Sequence, residues 1–133
     1  MLLEQGFQVL VVDRLMFGGQ ALLPYFIHPS FSFINLDVRD RAGLSSALDG
    51  ADVVIHLAAL VGYPLCKKLP REAEEVNVGG AQNVLDLAPK GTRFIYASTG
   101  SNYGEVQGIC TENTPLNPLS HYGKTKTRAE QLF

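Results

Sequence analysis

The stretch "ADVVIHLAA", from Ala51 to Ala59, decides the fold class of this chain. Continuous apolar runs of this length, rich in β-branched residues, are typical of strands that are covered on both faces in a parallel sheet. Three further runs share this character: "FQVLVVD" (Phe7 to Asp13), "FSFINLD" (Phe31 to Asp37) and "TRFIYAS" (Thr92 to Ser98). The chain is therefore predicted to form four strands.

Helical patterns lie between the predicted strands. "DRAGLSSALDG" predicts a short helix over residues 40–50, with Asp40 as its N-cap and Gly50 at its end. Residues 71–88 carry an apolar stripe at helical spacing, and "YGKTKTRAEQLF", residues 122–133, reads as the start of another helix. Strands that alternate with helices predict an α/β fold with a Rossmann-type, doubly wound parallel sheet.

Length, charge and composition fit one ordinary domain and exclude other classes of protein. The chain has 133 residues, a formal net charge of -2 and no dense run of Lys and Arg, so we expect no nucleic-acid partner and no basic membrane face. No apolar stretch is long enough to span a bilayer, and the start lacks the features of a signal peptide. These features predict a cytoplasmic location.

Cysteines and histidines show no metal-ligand spacing. Cys66 and Cys110 form no CxxC motif, and His28, His56 and His121 are scattered along the chain. We therefore predict free thiols and no metal site.

The start of the chain predicts an incomplete sheet. "MLLEQG" reads as the last turns of a helix with Gly6 at its C-terminus, and in a doubly wound fold a strand and a glycine-rich turn come before such a helix. The sequence contains neither GxGxxG nor GxxGxxG. We expect residues 1–133 to be a partial domain without the first strand and without a C-terminal substrate-binding part. The strands that begin near Phe7 and Ala51 should then have no neighbour between them.

A tyrosine and a lysine on one helix face are the sharpest chemical signal. Tyr122 and Lys126 stand at positions i and i+4, about one turn apart. A nearby ammonium stabilises a phenolate, so such a tyrosine can act as a general base towards a substrate hydroxyl. Thr99 or Ser98, at the carboxyl end of the fourth strand, could bind the same oxygen. The spacing alone also occurs by chance on surface helices.

Residues at the ends of three predicted strands are candidate cofactor contacts: two strands end in an aspartate, and the third ends in small residues. Asp13 could accept hydrogen bonds from the ribose of NAD and repel the extra phosphate of NADP, or it could simply cap a loop. Asp37 could bind an adenine amino group while Val38 covers the ring. Ala58 and Ala59 could let a flat cofactor approach the backbone, or could allow close packing of a helix.

Six motifs together resemble one family. In order and spacing, the chain resembles the extended short-chain dehydrogenase/reductases of the NAD-dependent epimerase/dehydratase family, whose members mostly act on nucleotide sugars. The resemblance covers nearly the whole chain and rests on the motifs "VLVVDRL", "LDVRD", "DVVIHLAAL", "EVNVGGAQNVL", "FIYASTGSNYG" and "HYGKTKTRAEQLF".

The resemblance implies a cofactor, roles for residues and an assembly. NAD would bind on the sheet, with Asp13 at the ribose, Asp37 and Val38 at the adenine, and Leu57, Ala58 and Ala59 at the cofactor's middle. Asn77 would shape the site, and Lys126 would hold the nicotinamide ribose. Thr99, placed by the pair Tyr103-Gly104, would be the catalytic hydroxyl, and Tyr122 the general acid and base. A homodimer through a four-helix bundle is expected.

The residues after Thr99 narrow the reaction that the resemblance implies. Members that dehydrate sugars carry Asp-Glu at the positions of Gly100 and Ser101, and a decarboxylase would also have Glu at the second. Epimerisation or simple oxidoreduction of a nucleotide sugar therefore remains. The alternatives are a non-catalytic dinucleotide-binding module of the same fold and an inactive truncated product.

Overall fold

The computed structural model describes residues 2–133, and its strands form two separate pairs. Strand β1 (Val9–Asp13) lies parallel to β2 (Phe31–Asn35), and β3 (Val53–His56) lies parallel to β4 (Arg93–Tyr96). Neither β1 nor β3 has a second strand neighbour within residues 2–133. The four predicted strands are confirmed, and, as expected, no described strand joins the first to the third.

Each strand is shorter than the apolar run that predicted it. The third run was expected to be extended from Ala51 to Ala59, but the ladder ends at His56. Beyond that point, the backbone N–H and C=O of Leu60 are both bound by the side chain of Asn77 instead of by a neighbouring strand. The apolar run therefore continues into the loop after β3, where it packs without sheet pairing.

The short helix after β2 forms as predicted. Helix α1 (Arg41–Leu48) begins after Asp40, whose carboxylate accepts a hydrogen bond of 3.1 Å from the backbone N–H of Gly43. Gly50 follows the last turn with a φ of 71°, a conformation that glycine adopts without strain. Its place is one residue beyond the C-cap, Asp49, rather than at the helix end itself.

Three short helical segments complete residues 2–68. Residues Leu3–Gln5 form a 3₁₀ turn that ends at Gly6, as expected for this stretch, although Met1 lies outside the described residues. A second 3₁₀ segment spans Gln20–Tyr25. We did not predict this segment or helix α2 (Tyr63–Lys68), because neither is long enough to show an apolar period.

The predicted helix over residues 71–88 is continuous but not uniform. It starts as α3 (Pro70–Ala73), widens into a π-helical segment (Glu74–Gly79) and continues as α4 (Gly80–Leu87). Pro70 lies in the first turn rather than before it, a position where its lack of an N–H costs nothing. The π segment corrects the prediction of a regular α-helix, and segments of this kind often occur at functional sites.

Packing concentrates on one side of the strands. Leu44, Leu48 and Val84 form one buried cluster, and Leu60, Cys66 and Ala73 form a second. We expected both faces of each strand to be covered, but five large apolar strand residues remain substantially exposed: Leu10, Ile34, Val53, Ile55 and Ile95. No element of residues 2–133 covers that face. Among the helices of those residues, none combines the length and the apolar character that crossing a bilayer requires.

The glycine at position 80 sets how closely the long helix approaches the loop after β2. A Cβ atom built on Gly80 would lie 2.5 Å from Cγ2 of Val38, which is itself buried. Val38 is β-branched and has little freedom to turn away. The preceding Gly79 has nearly the same helical backbone, but a Cβ there would come no closer than 3.9 Å to its nearest neighbour.

These two glycines give a matched pair of substitutions. We expect Gly80→Ala to lower the free energy of unfolding by about 1–3 kcal/mol through overpacking against Val38. Gly79→Ala should raise it by about 0.5–1 kcal/mol, because alanine is the better helix former and meets no clash. Urea denaturation of both variants measures the difference, and equal shifts would contradict this account of Gly80.

Candidate active site

A glycine in the "YGK" sequence brings the last helix against the turn that follows β4. Helix α5 (His121–Glu130) begins after Ser120, whose hydroxyl oxygen accepts a hydrogen bond of 3.0 Å from the N–H of Gly123. A Cβ atom at Gly123 would lie 2.7 Å from the carbonyl oxygen of Ser101. The start of α5 can therefore lie directly on the 3₁₀ turn Gly100–Asn102, which follows Thr99.

The hydrogen bonds of the two candidate hydroxyls favour Thr99 over Ser98. Ser98 donates to Glu130 and accepts 2.8 Å from the side-chain amide of Asn102, so both of its functions are used inside the protein. Thr99 Oγ1 accepts 3.2 Å from the N–H of Ser101. Within residues 2–133 its hydroxyl hydrogen has no acceptor, so Thr99 can still donate to a bound molecule.

The tyrosine and lysine of the predicted pair lie on one helix but contact different groups. Tyr122 is partly buried and packs against the cluster of Leu60, Cys66 and Ala73. The ammonium of Lys126 lies 4.1 Å from the centre of the Tyr96 ring. No hydrogen bond joins the side chains of Thr99, Tyr122 and Lys126 among the described residues. The structure brings their elements together, but not the three functional groups.

Lys126 is a buried cation. Only 3% of the residue is exposed, and this burial lowers the pKa of its ammonium to about 8, while the carboxylate of Glu130 acts in the opposite direction. The Tyr96 ring faces the charge with its negative π surface, an arrangement that stabilises a cation away from water. Burial in turn raises the pKa of Tyr96, whose hydroxyl donates a hydrogen bond of 3.2 Å to the carbonyl of Lys126.

A second Tyr-x-x-x-Lys pair, which we did not consider as a candidate site, shows that the spacing alone does not indicate a buried site. Tyr63 and Lys67 have the same spacing on helix α2, and the ammonium of Lys67 lies 5.6 Å from the Tyr63 ring centre. Both of these residues are exposed. The pair on α5 differs because its lysine is buried beside the end of a strand.

Asn77 connects three elements around the site. Its Oδ1 accepts 2.6 Å from the N–H of Leu60, and its Nδ2 donates 3.1 Å to the Leu60 carbonyl and 2.9 Å to Thr125 Oγ1. The side chain is almost completely buried. Both amide hydrogens are therefore used within the protein, and Asn77 positions the loop after β3 against α5 instead of offering a donor to a cofactor.

Glu130 and Asn102, which we did not predict, belong to the same region. The carboxylate of Glu130 accepts short hydrogen bonds from Ser98 and from Asn102, which is buried. Glu130 stands four residues after Lys126 and therefore on the same helix face, which was a usable signal. Charge-assisted bonds of this kind join the end of β4 to the last turn of α5.

A cavity at the carboxyl ends of β1 and β2 collects most of the predicted cofactor contacts. It is lined by Val12, Asp13, Arg14, Met16, Phe17, Gly18, Leu36, Asp37, Val38, Ala58, Ala59 and Val76. Five predicted residues are in this set: Asp13, Asp37, Val38, Ala58 and Ala59. Three predicted cofactor contacts, Leu57, Asn77 and Lys126, do not line the cavity, and Leu57 is 66% exposed.

The two predicted acidic contacts are already engaged inside the protein. Asp13 is exposed, and its Oδ1 accepts 2.6 Å from the N–H of Leu15, so it does cap the loop after β1. Asp37 is paired with Arg39 at 2.8 Å and with Arg14 at 3.1 Å. Hydrogen bonds from Arg39, supported by Arg14, hold the pKa of the Asp37 carboxyl well below its usual range.

His56 is buried at the end of β3 and remains neutral. It is 4% exposed, its ring stacks on Tyr96 at 6.0 Å, and its Nε2 has no hydrogen-bond partner within residues 2–133. Burial, assisted by the positive charge of Lys126, lowers its pKa to about 4. An unfolded chain binds a proton at this residue from about pH 6.5 downwards.

Folding should therefore become less favourable as the pH falls from about 6.5 towards about 4, because the unfolded state binds a proton that the folded state refuses. We expect His56 to cost about 2 kcal/mol of stability between about pH 7 and about pH 5. His56→Phe keeps an aromatic ring but cannot titrate, so its pH dependence should be flatter by that amount. Denaturation curves across this range measure it, and parallel curves would disprove a depressed pKa.

Comparison with known proteins assigns the whole chain to one group. The sequence profile of the NAD dependent epimerase/dehydratase family matches residues 1–133. Over 107 residues the chain is 40% identical to an uncharacterized UDP-glucose epimerase of Bacillus subtilis, covering 77% of this chain and 33% of that protein.

Solved structures of related enzymes have the same fold. UDP-glucuronic acid 4-epimerase from Bacillus cereus, in complex with NAD, is 30% identical and superposes with a TM-score of 0.88, covering 98% of this chain and 44% of that one. The dTDP-glucose 4,6-dehydratase DesIV from Streptomyces venezuelae, with NAD and TYD bound, is 30% identical with a TM-score of 0.86, covering 94% and 40%. The chain thus spans between a third and somewhat under half of these relatives.

The family model matches every residue of the chain, and the structure is consistent with this match: it has an incomplete Rossmann-type sheet with a cavity at the strand ends. The chain belongs to the NAD dependent epimerase/dehydratase family, a family of enzymes that includes nucleotide-sugar epimerases.

Proposed function

We propose that residues 1–133 form part of the NAD-binding domain of a nucleotide-sugar epimerase that uses Thr99, Tyr122 and Lys126. The observation that carries this proposal is the buried ammonium of Lys126, 3% exposed, on a helix that packs against the turn after Thr99. A buried charge is costly and is usually kept for a purpose. Its place beyond the carboxyl ends of two parallel strands is where ligands bind in this fold class.

The cavity residues fit the adenosine half of NAD. Val38 offers an apolar surface for the adenine ring, and Asp13, exposed at the end of β1, offers a carboxylate for ribose hydroxyls. Ala58 and Ala59 are small enough to admit the cofactor backbone. When bound, NAD supplies the acceptor that takes a hydride from the sugar and later returns it. Lys126 would hold the ribose next to the nicotinamide.

Three side chains of this chain would handle the proton. Tyr122 would accept the proton of the sugar hydroxyl during oxidation and return it after the hydride is given back to the other face. The hydroxyl of Thr99 would donate a hydrogen bond to the same sugar oxygen. Lys126 would supply the positive charge that a phenolate needs nearby, and the low polarity around this lysine would strengthen that attraction.

Epimerisation is favoured over dehydration by the residues that follow Thr99. Removing water from a keto sugar needs a proton donor and a base, and Gly100 and Ser101 provide no carboxylate. The carboxylate of Glu130 is bound by Ser98 and Asn102. Similarity of fold does not discriminate between the two reactions, since an epimerase and a dehydratase match the chain about equally well.

The substrate, the cellular compartment and the dimer are further parts of the proposed function. The substrate would be a nucleotide sugar, and the protein would act in the cytoplasm. Two copies would pair through the long helix of residues 70–87 and helix α5, giving a four-helix bundle. A simple oxidoreductase and a non-catalytic dinucleotide-binding module are the competing functions.

A substrate panel tests the reaction. The protein expressed from its complete reading frame is incubated with NAD and with UDP-, GDP- and dTDP-sugars, and the products are separated by chromatography. An epimerase should interconvert sugar epimers with no net change in NAD. Net formation of NADH together with an oxidised sugar would indicate a simple oxidoreductase, a deoxy-keto sugar would indicate a dehydratase, and the absence of both turnover and NAD binding would overturn the proposal.

Matched tyrosine variants test the assignment of Tyr122. We expect Tyr122→Phe to lower kcat by about 10²- to 10⁴-fold, because the general acid and base is lost while the ring remains. Tyr63→Phe removes the same hydroxyl from the exposed pair on α2 and should leave kcat unchanged. NAD affinity should be similar in both variants. Equal rates for Tyr122→Phe and Tyr63→Phe would remove Tyr122 from the mechanism.

A further inference from the structure

An arginine lies at the adenosine end of the cavity, next to the aspartate that would exclude NADP. Arg14 directly follows Asp13 and lines the same cavity. A guanidinium near the adenosine ribose is the group that usually accommodates the 2′-phosphate of NADP, whereas an acidic residue favours NAD. Of these two adjacent residues, Asp13 thus favours NAD and Arg14 favours NADP.

The structure shows what keeps Arg14 occupied. Its Nη1 lies 2.9 Å from Glu72 Oε1 and 3.1 Å from Asp37 Oδ2, and the side chain is only 25% exposed. Asp37 is already bound by Arg39 through two bonds, Nε to Oδ1 at 2.9 Å and Nη2 to Oδ2 at 2.8 Å. Glu72, in helix α3, is therefore the carboxylate most dependent on Arg14.

Glu72 and Glu75 bind different arginines, and only the partner of Glu72 lines the cavity. The nearest cation to Glu72 after Arg14 is Arg39, at the longer distance of 3.9 Å. Glu75 is 60% exposed and pairs with Arg39 at 3.1 Å. Both residues are glutamates of the same helical stretch and each contributes one negative charge, but only Glu72 holds the guanidinium that lines the cavity.

We propose that Glu72 determines the preference for NAD over NADP by holding Arg14 in this network of carboxylates. The inference rests on the proposed function, in which the cavity binds the adenosine half of the cofactor. With Arg14 held, a 2′-phosphate carrying about -1.5 to -2 charges would meet the carboxylates of Asp13 and Asp37, while Arg14, the one cationic residue in the described lining of the cavity, is already paired. Once Glu72 is neutral, Arg14 keeps only its bond to Asp37, which Arg39 also satisfies, so the guanidinium can turn to the phosphate and form charge-assisted hydrogen bonds.

Calorimetric titration with NAD and with NADP tests this preference in the protein from the complete reading frame. Glu72→Gln should tighten NADP binding about tenfold, the gain that about 1.4 kcal/mol of new charge-assisted bonding gives, and change NAD binding by less than about twofold. Glu75→Gln is the control, since it removes the same charge without releasing Arg14. In the double variant Glu72→Gln/Arg14→Gln, the gain for NADP should disappear.

The outcomes separate this inference from the function on which it rests. If the wild-type protein binds neither dinucleotide, the proposed function fails and the inference fails with it. If it binds NAD but Glu72→Gln and Glu75→Gln shift the NADP to NAD ratio equally, the proposed function stands and the role of Glu72 is disproved. Glu72→Asp, which keeps the charge, should retain the preference for NAD, and unchanged thermal unfolding of each variant shows that the fold is intact.

Discussion

The three hydrogen bonds of the Asn77 side chain are the interaction on which the candidate site depends. They satisfy both backbone groups of Leu60 after β3 has ended and also reach Thr125 on α5. A buried backbone group without a partner costs about 1–3 kcal/mol, so Asn77 stabilises the buried residue Leu60, whose carbonyl also accepts a hydrogen bond from Cys66 Sγ. Asn77 lies in the wider π-helical segment. The irregular part of this helix therefore contains the residue that joins the loop after β3 to α5, close to Tyr122.

The sequence predicted elements better than it predicted contacts. Four strands, helix α1 with its Asp40 cap and the unpaired sides of β1 and β3 follow from apolar runs and from the order of strands in doubly wound folds. The π segment was not predicted, since an apolar period does not reveal it, and its residue Asn77 bonds to partners 17 and 48 residues away in the sequence. The predicted strands were too long, because an apolar run does not show where sheet pairing stops. After β3, for example, a side chain, that of Asn77, replaces the neighbouring strand as hydrogen-bond partner.

Spacing along a helix predicted a pair of candidate residues without predicting what their side chains contact. Tyr63 with Lys67 and Tyr122 with Lys126 have the same spacing, and only their surroundings differ. In the second pair the lysine is desolvated, and its charge is directed at Tyr96, a residue of β4 that no helical pattern could associate with it. Burial and partners from other elements therefore turn a common pattern into a candidate site.

Both ends of the candidate site follow the same physical rule. At one end Arg14 stands beside Asp13 in the sequence but is held by Glu72 and Asp37, and at the other end Lys126 shares a helix face with Tyr122 but is covered by Tyr96. In each case the cation is held by residues that are remote in the sequence, and Lys126 is also almost completely buried. Because removing charge from water is expensive, its location is set by whichever partners the fold brings closest. The chemistry of each end is thus controlled by the residues that hold the cation as much as by the cation itself.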